Sequence, residues 1–148
     1  MNSRIIRKKI AKLLIEQKLG ILATSGKKYP YQSIVAFSAS RDMKYILFAT
    51  KRATSKYKNL EDRNQVSIFI DNRSNQEADF IDATGMTVLG DAQELNGADA
   101  RKHMKTFTRK HPSLRHFLSD VDCALFRIRV RVYYVVVKFQ EVTEFRMI

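Results

Sequence analysis

The sequence predicts a mainly β protein with helical covers, a small barrel of about six antiparallel strands, and three observations carry that expectation. Its first three strand-like runs are joined by turns too short for the crossovers that parallel neighbours need. The run from Ile81 to Leu95 contains Gly85 and Gly90, residues that let a strand bulge or bend as a barrel requires. From Phe126 to Val132 apolar residues alternate strictly with Arg127, Arg129 and Arg131, which gives one buried face and one wet, basic face.

Taken in order, Asn2 or Ser3 caps a helix to about Gln17, with Ile6, Ile10, Leu13 and Leu14 on one face and Arg7, Lys8, Lys9 and Lys12 largely elsewhere. Such a helix covers the end of a sheet more readily than it lies on a membrane. Leu19 to Thr24 and Tyr31 to Ala39 read as strands around the turn Ser25-Gly26-Lys27-Lys28, and Ser40-Arg41-Asp42 leads into a third strand, Lys44 to Ala49. A short helix, Lys56 to Leu60, precedes a fourth strand, Val66 to Ile70, and Asp71 to Asp79 is a polar loop without periodicity. After the glycine-bearing strand, Gly97 to Lys110 forms a helix with Ala100, Met104 and Phe107 at helical spacing. Pro112 ends it, and Ser113 caps a short turn carrying Leu114, Phe117 and Leu118. The last strand is expected from Val121 to about Phe139, apolar on both faces from Tyr133 to Val137, so that it leaves the sheet partway or is covered by a helix or a second subunit.

No repeat, low-complexity tract or linker divides the 148 residues, so one domain over 1–148 is expected. The net charge of +12 suits a polyanion or an anionic cofactor, but more readily a merely basic surface. The lone Cys123 cannot form an internal disulfide and sits in an apolar run. With no apolar run of membrane length and with lysines and arginines near the amino terminus, the expectation is a cytoplasmic protein without a membrane partner.

The densest chemistry lies between the third and fourth strands, in Thr50-Lys51-Arg52-Ala53-Thr54-Ser55-Lys56. Thr50, Thr54 and Ser55 offer hydroxyls, Lys56 a charge, and Thr54 or Ser55 caps a helix whose first N–H groups are free, together a site for a phosphate monoester. The glycines of a P-loop or a dinucleotide fingerprint are missing. A capped, solvated helix start is the plain alternative, because helix N-termini attract anions without functional consequence.

The runs FATKRATSKYKNLEDRNQVSIFI and PYQSIVAF resemble the flavin-binding segments of the pyridoxamine 5'-phosphate oxidase-like family, the FMN-binding split barrels, over roughly Leu19 to Leu95. The resemblance implies a six-stranded antiparallel split β-barrel that forms a homodimer with flavin sites at the interface. It implies that Thr50, Thr54, Ser55 and Lys56 hold the FMN phosphate and that Gln32, Ser33, Ile34, Val35 and Ala36 lie along the flavin ring. It also brings Asn72 and Arg73 near the cofactor or the interface, although Asp71 with Arg73 equally reads as a surface ion pair. The sequence departs from the true oxidases in carrying Ser55 and Ser33 where they have arginines, so two charge-assisted phosphate bonds are missing, with Lys51, Arg52 or Lys58 as substitutes. It also contains no tryptophan and lacks their carboxy-terminal substrate signature, which argues against pyridoxamine phosphate oxidation.

What remains is an FMN-dependent oxidoreductase or flavin reductase whose substrate and electron donor the sequence does not name, with deazaflavin as the alternative cofactor. Behind it rank a noncatalytic flavin-binding or electron-carrier protein and, last, a basic nucleic-acid-binding barrel using Tyr29, Tyr31 and Phe37. His103, His111 and His116 match no ligand spacing, so no metal site is expected and the three read as solvated helix residues. For the arginine stripe, Glu94, Asp99 and Asp120 are the candidate counter-charges.

Overall fold

In the computed structural model, which describes residues 1–148, helix α1 (Ser3–Glu16) leads into strands β1 (Leu19–Ser25), β2 (Pro30–Ala39) and β3 (Tyr45–Lys51). Helix α2 (Ser55–Asp62), β4 (Gln65–Asp71), the helical turn α3 (Asp79–Asp82) and β5 (Thr84–Glu94) follow. Helix α4 (Gly97–Lys110), a 3-10 turn (Pro112–Leu114), α5 (Arg115–Ser119), β6 (Cys123–Val137) and β7 (Glu141–Arg146) complete the chain. The strand order is β3-β2-β1-β4-β5-β6, all antiparallel, and β3 pairs back with β6 to close a six-stranded barrel of the split-barrel type. No helix is long and apolar enough to cross a membrane.

β6 holds the barrel together because its partners change along its length. One edge pairs with β5 from Phe126 to Val137; the other pairs with β3 from Cys123 to Arg129 and with β7 from Val132 to Val137. Between these halves Arg131 is an extra residue: Leu89 pairs with Val132 and Gly90 with Val130. A one-residue bulge exchanges the two faces of a strand. Thus Phe126, Ile128 and Val130 are buried before it, and Tyr133, Val135 and Val137 after it. The doubly apolar tail of β6 is therefore an ordinary alternation with its phase reset, and its sheet edge is covered by β7.

Two expectations are corrected. The strand expected from Ile81 begins only at Thr84, because the Asp79 carboxylate accepts the backbone N–H groups of Ser74, Asn75 and Gln76 at 2.7–3.2 Å and winds Asp79–Asp82 into a helical turn. Those bonds also hold its pKa below the usual carboxylate value. The last strand stops at Val137 rather than Phe139, and Lys138 and Phe139, with φ of 49° and 70°, turn the chain into β7. Left-handed residues in a hairpin are normally Gly or Asn, so nothing in Lys138-Phe139-Gln140 signals the turn.

The main core fills the barrel with Leu22, Phe37, Ile46, Phe48, Ile68 and Met86, and α1 stops one end with Ile6, Ile10, Leu13 and Leu14. Asn2 caps α1 by accepting from the Ile5 N–H at 2.9 Å. A smaller second core lies outside the barrel wall, where Leu47, Leu95 and Leu125 pack under Phe107 of α4 and Leu118 of α5. Cys123 belongs to it, and burial pushes its thiol pKa up. These two layers leave a gap beside β2 and β3.

Candidate functional site

That gap is a cavity of about 350 Å³ walled by Ile34, Val35 and Ala36 of β2, Ala49 and Thr50 of β3, and Phe107, Leu114 and Phe117 of the helical cover. Thr54 and Lys56 close its polar end. It is mostly apolar with a few polar groups at one side, the usual composition of a small-molecule site.

The polar end is built by the turn between β3 and α2. Thr54 is the N-cap of α2: its Oγ1 accepts from the Tyr57 N–H at 3.3 Å and donates to the Lys51 carbonyl at 2.8 Å. The Thr50 hydroxyl lies 3.3 Å from Thr54 Oγ1 and also reaches the Lys51 carbonyl. Both hydroxyls are thus engaged in holding the turn. What lines the cavity with free donor capacity is Lys56, half-buried and in no ion pair, in the first turn of α2, where the helix N–H groups have no intrahelical partner. Burial without a counter-charge holds the Lys56 pKa below the usual lysine value.

The neighbouring cations are occupied. Lys51 pairs with Asp120 and lies 5.2 Å from the Phe117 ring centroid. Arg52 bonds Glu94 at 2.9 Å and donates to the Val121 carbonyl at 2.8 Å, while the Tyr57 hydroxyl donates to the same Glu94 carboxylate at 2.6 Å. Lys51 and Arg52 therefore clamp the turn to β5 and to the segment before β6. Lys58 and Ser55 line a different, shallow groove with Lys27.

The expected residues thus separate. Ile34, Val35, Ala36, Thr50, Thr54 and Lys56 meet at one cavity. Gln32 and Ser33 lie farther along β2, Gln32 exposed and the Ser33 hydroxyl buried without a partner. Asn72 accepts from the Thr84 N–H at 2.7 Å and ties β4 to β5, and Arg73 pairs with Asp71 at 3.1 Å beside a separate groove lined by Phe69, Phe80 and Phe139. Phe107, Leu114 and Phe117 stood out in the sequence only as apolar residues of the helices. Their place in the cavity wall depends on how α4 and α5 dock, which periodicity does not report.

The histidines do not converge. His103 bonds the Asp99 carbonyl at 2.9 Å, and no group of three or more His, Cys, Asp or Glu is placed to hold a metal. Contrary to expectation His111 is buried, its Nε2 2.6 Å from the Phe37 carbonyl oxygen, and burial lowers its pKa. The arginine stripe is only partly balanced as expected. Arg131 pairs with Asp91 at 2.6 Å; Arg127 lies over the Tyr45 ring, 3.9 Å from Asp99; Glu94 and Asp120 serve Arg52 and Lys51 instead.

The family model described as pyridoxamine 5'-phosphate oxidase matches residues 6–136. The chain belongs to the pyridoxamine 5'-phosphate oxidase family. Among solved structures it is similar to General Stress Protein 26 from Bacillus anthracis str. Sterne, with a TM-score of 0.73 and 19% identity over 96% of this chain and 98% of that one. A FAD-binding protein from Mesorhizobium loti gives 0.68 and 17% over 91% and 94% of the two chains. A heme binding protein from Mycobacterium smegmatis gives 0.79 and 16% over 92% of this chain but only 56% of the other. At these identities the likeness establishes the split-barrel fold. None of the curated proteins matches the chain.

Proposed function

We propose that this member of the pyridoxamine 5'-phosphate oxidase family is an FMN-binding flavoprotein, an oxidoreductase or flavin reductase, with its cofactor in the cavity between β2, β3 and α4. The observation that carries this reading is Lys56, a half-buried cation without a counter-ion at the head of a capped helix, facing an apolar slot. A phosphate monoester supplies the missing charge, and the ring system of the same ligand suits the walls. The bound flavin would supply the hydride or electron transfer. Lys56 with the first N–H groups of α2 would hold the phosphate, the Arg52–Glu94–Tyr57 cluster would keep that turn in place, and the backbone of β2 would orient the ring.

Leu19 and Ile34, at the mouth of the cavity, are 57% and 69% exposed, an apolar rim suited to cover by a second copy of the chain. The proposal therefore includes a homodimer with the flavin at the interface. Heme is the competing ligand, because one similar structure is a heme binding protein. The cavity is lined by no histidine, cysteine, methionine or tyrosine, the side chains that ordinarily ligate heme iron. The test is the absorption spectrum of the purified protein, alone and after incubation with FMN, deazaflavin or heme. A flavin band that survives gel filtration is expected; a heme band with no flavin uptake overturns the reading.

A further inference from the structure

We propose that the outer face of α4 is a docking surface for the sugar-phosphate backbone of nucleic acid, read by charge without regard to sequence. Arg101, Lys105 and Arg109 recur every four residues, which aligns them along one ridge of the helix at intervals of about 6 Å. All three are exposed, and with Arg115 of α5 they border a groove floored by Met104 and Thr108. None of the four cations takes part in an ion pair. Asp99, the acid nearest them on α4, is turned to His103 and Arg127.

Like charges four apart weaken a helix, so the ridge opposes the stability of the element that carries it. The helix dipole favours Arg109 in the last turn but not Arg101 near the positive end. At its end α4 is tied to α1, where Lys110 donates to the Leu14 carbonyl at 2.8 Å. A membrane surface is the poorer fit, because an interfacial helix needs apolar side chains on its outer face and the aromatic residue of α4, Phe107, is fully buried on the other side. No aromatic residue borders the groove, so stacking on bases is not offered and the contact falls on phosphates. The groove shares no residue with the proposed cofactor cavity, so this surface stands or falls independently of the flavin reading.

The experiment is fluorescence anisotropy of a short labelled single-stranded oligonucleotide and of its duplex, titrated with the full chain across a range of salt. Engaging three to four phosphates on a duplex lowers affinity about 40- to 150-fold for each fourfold rise in salt. In the triple variant Arg101→Gln, Lys105→Gln, Arg109→Gln binding should weaken and most of that salt dependence should disappear, while the double variant Arg101→Lys, Arg109→Lys keeps it. Circular dichroism of each variant checks that the fold is intact. The proposal is overturned if the wild-type protein binds no oligonucleotide at low salt. It also falls if the folded triple variant keeps the full salt slope, or if vesicles of anionic lipid compete the oligonucleotide away at equal phosphate.

Discussion

Gly90 lies against the backbone of Arg129 so closely that a Cβ on Gly90 would stand 2.4 Å from the Arg129 carbonyl oxygen. The contact sits at the bulge that resets the phase of β6, so the burial of Tyr133, Val135 and Val137 depends on it. Gly90→Ala should force the strands apart and cost about 1–3 kcal/mol, in the range of other overpacking substitutions. Urea denaturation measures it; an unchanged midpoint would mean that β5 and β6 accommodate the methyl group by sliding.

Lys56→Ala removes the one cation at the polar end of the cavity that is not already paired. A charged hydrogen bond of this kind contributes about 1.5–3 kcal/mol, so the FMN dissociation constant should rise roughly tenfold to a hundredfold. Flavin fluorescence quenching is the readout, and equal affinity would remove Lys56 from the site. Because burial lowers the Lys56 pKa, wild-type affinity should also decline as rising pH removes its proton, a trend the variant lacks.

If each flavin sits between two copies, cofactor and assembly are linked. Saturating FMN should then raise the thermal midpoint and tighten the dimer. Sedimentation at low concentration decides the point: a monomer that binds FMN as tightly as the dimer would exclude a shared site.

Lys110 links α4 to α1, its ammonium on the Leu14 carbonyl and 4.0 Å from the Phe37 ring centroid. Burial pulls its pKa from 10.5 to about 8. Between those values the unfolded chain keeps a proton that the folded chain has released, so this residue makes stability rise with pH across that window. Comparing denaturation midpoints of the wild type and Lys110→Met from pH 8 upward should show a rise in the first that is missing in the second.

The barrel was legible in the sequence because its signals are local: Ser25 to Lys28 and Ser40 to Asp42 announce their turns, and the alternation from Phe126 to Val132 its inward face. β7 was not, since the turn before it uses Lys138 and Phe139 in a backbone conformation that neither favours. In the candidate site, Thr54 and Lys56 could be found from the cap-and-cation spacing, and Ile34, Val35 and Ala36 from family likeness. The commitment of Lys51 to Asp120 and of Arg52 to Glu94 could not, because those pairs join residues 69 and 42 positions apart. Charge alone makes all three cations look equally available; the fold leaves only Lys56 facing the cavity without a partner.

Closure of the barrel between β3 and β6 also carries a kinetic consequence. The pairs from Tyr45–Arg129 to Lys51–Cys123 span about half of the chain, whereas β1 with β2 and β6 with β7 can zip from their own turns. Long-range pairing bears the loop-closure entropy before any contact rewards it, so this seam sets the folding rate. Phe48 and Phe126, stacked across it with centroids 5.2 Å apart, then belong to the folding nucleus. Phe126→Leu should slow refolding in stopped-flow experiments, while Val142→Ala, on β7 outside the seam, should leave the refolding rate nearly unchanged. The same seam that makes the barrel continuous would make it slow to form.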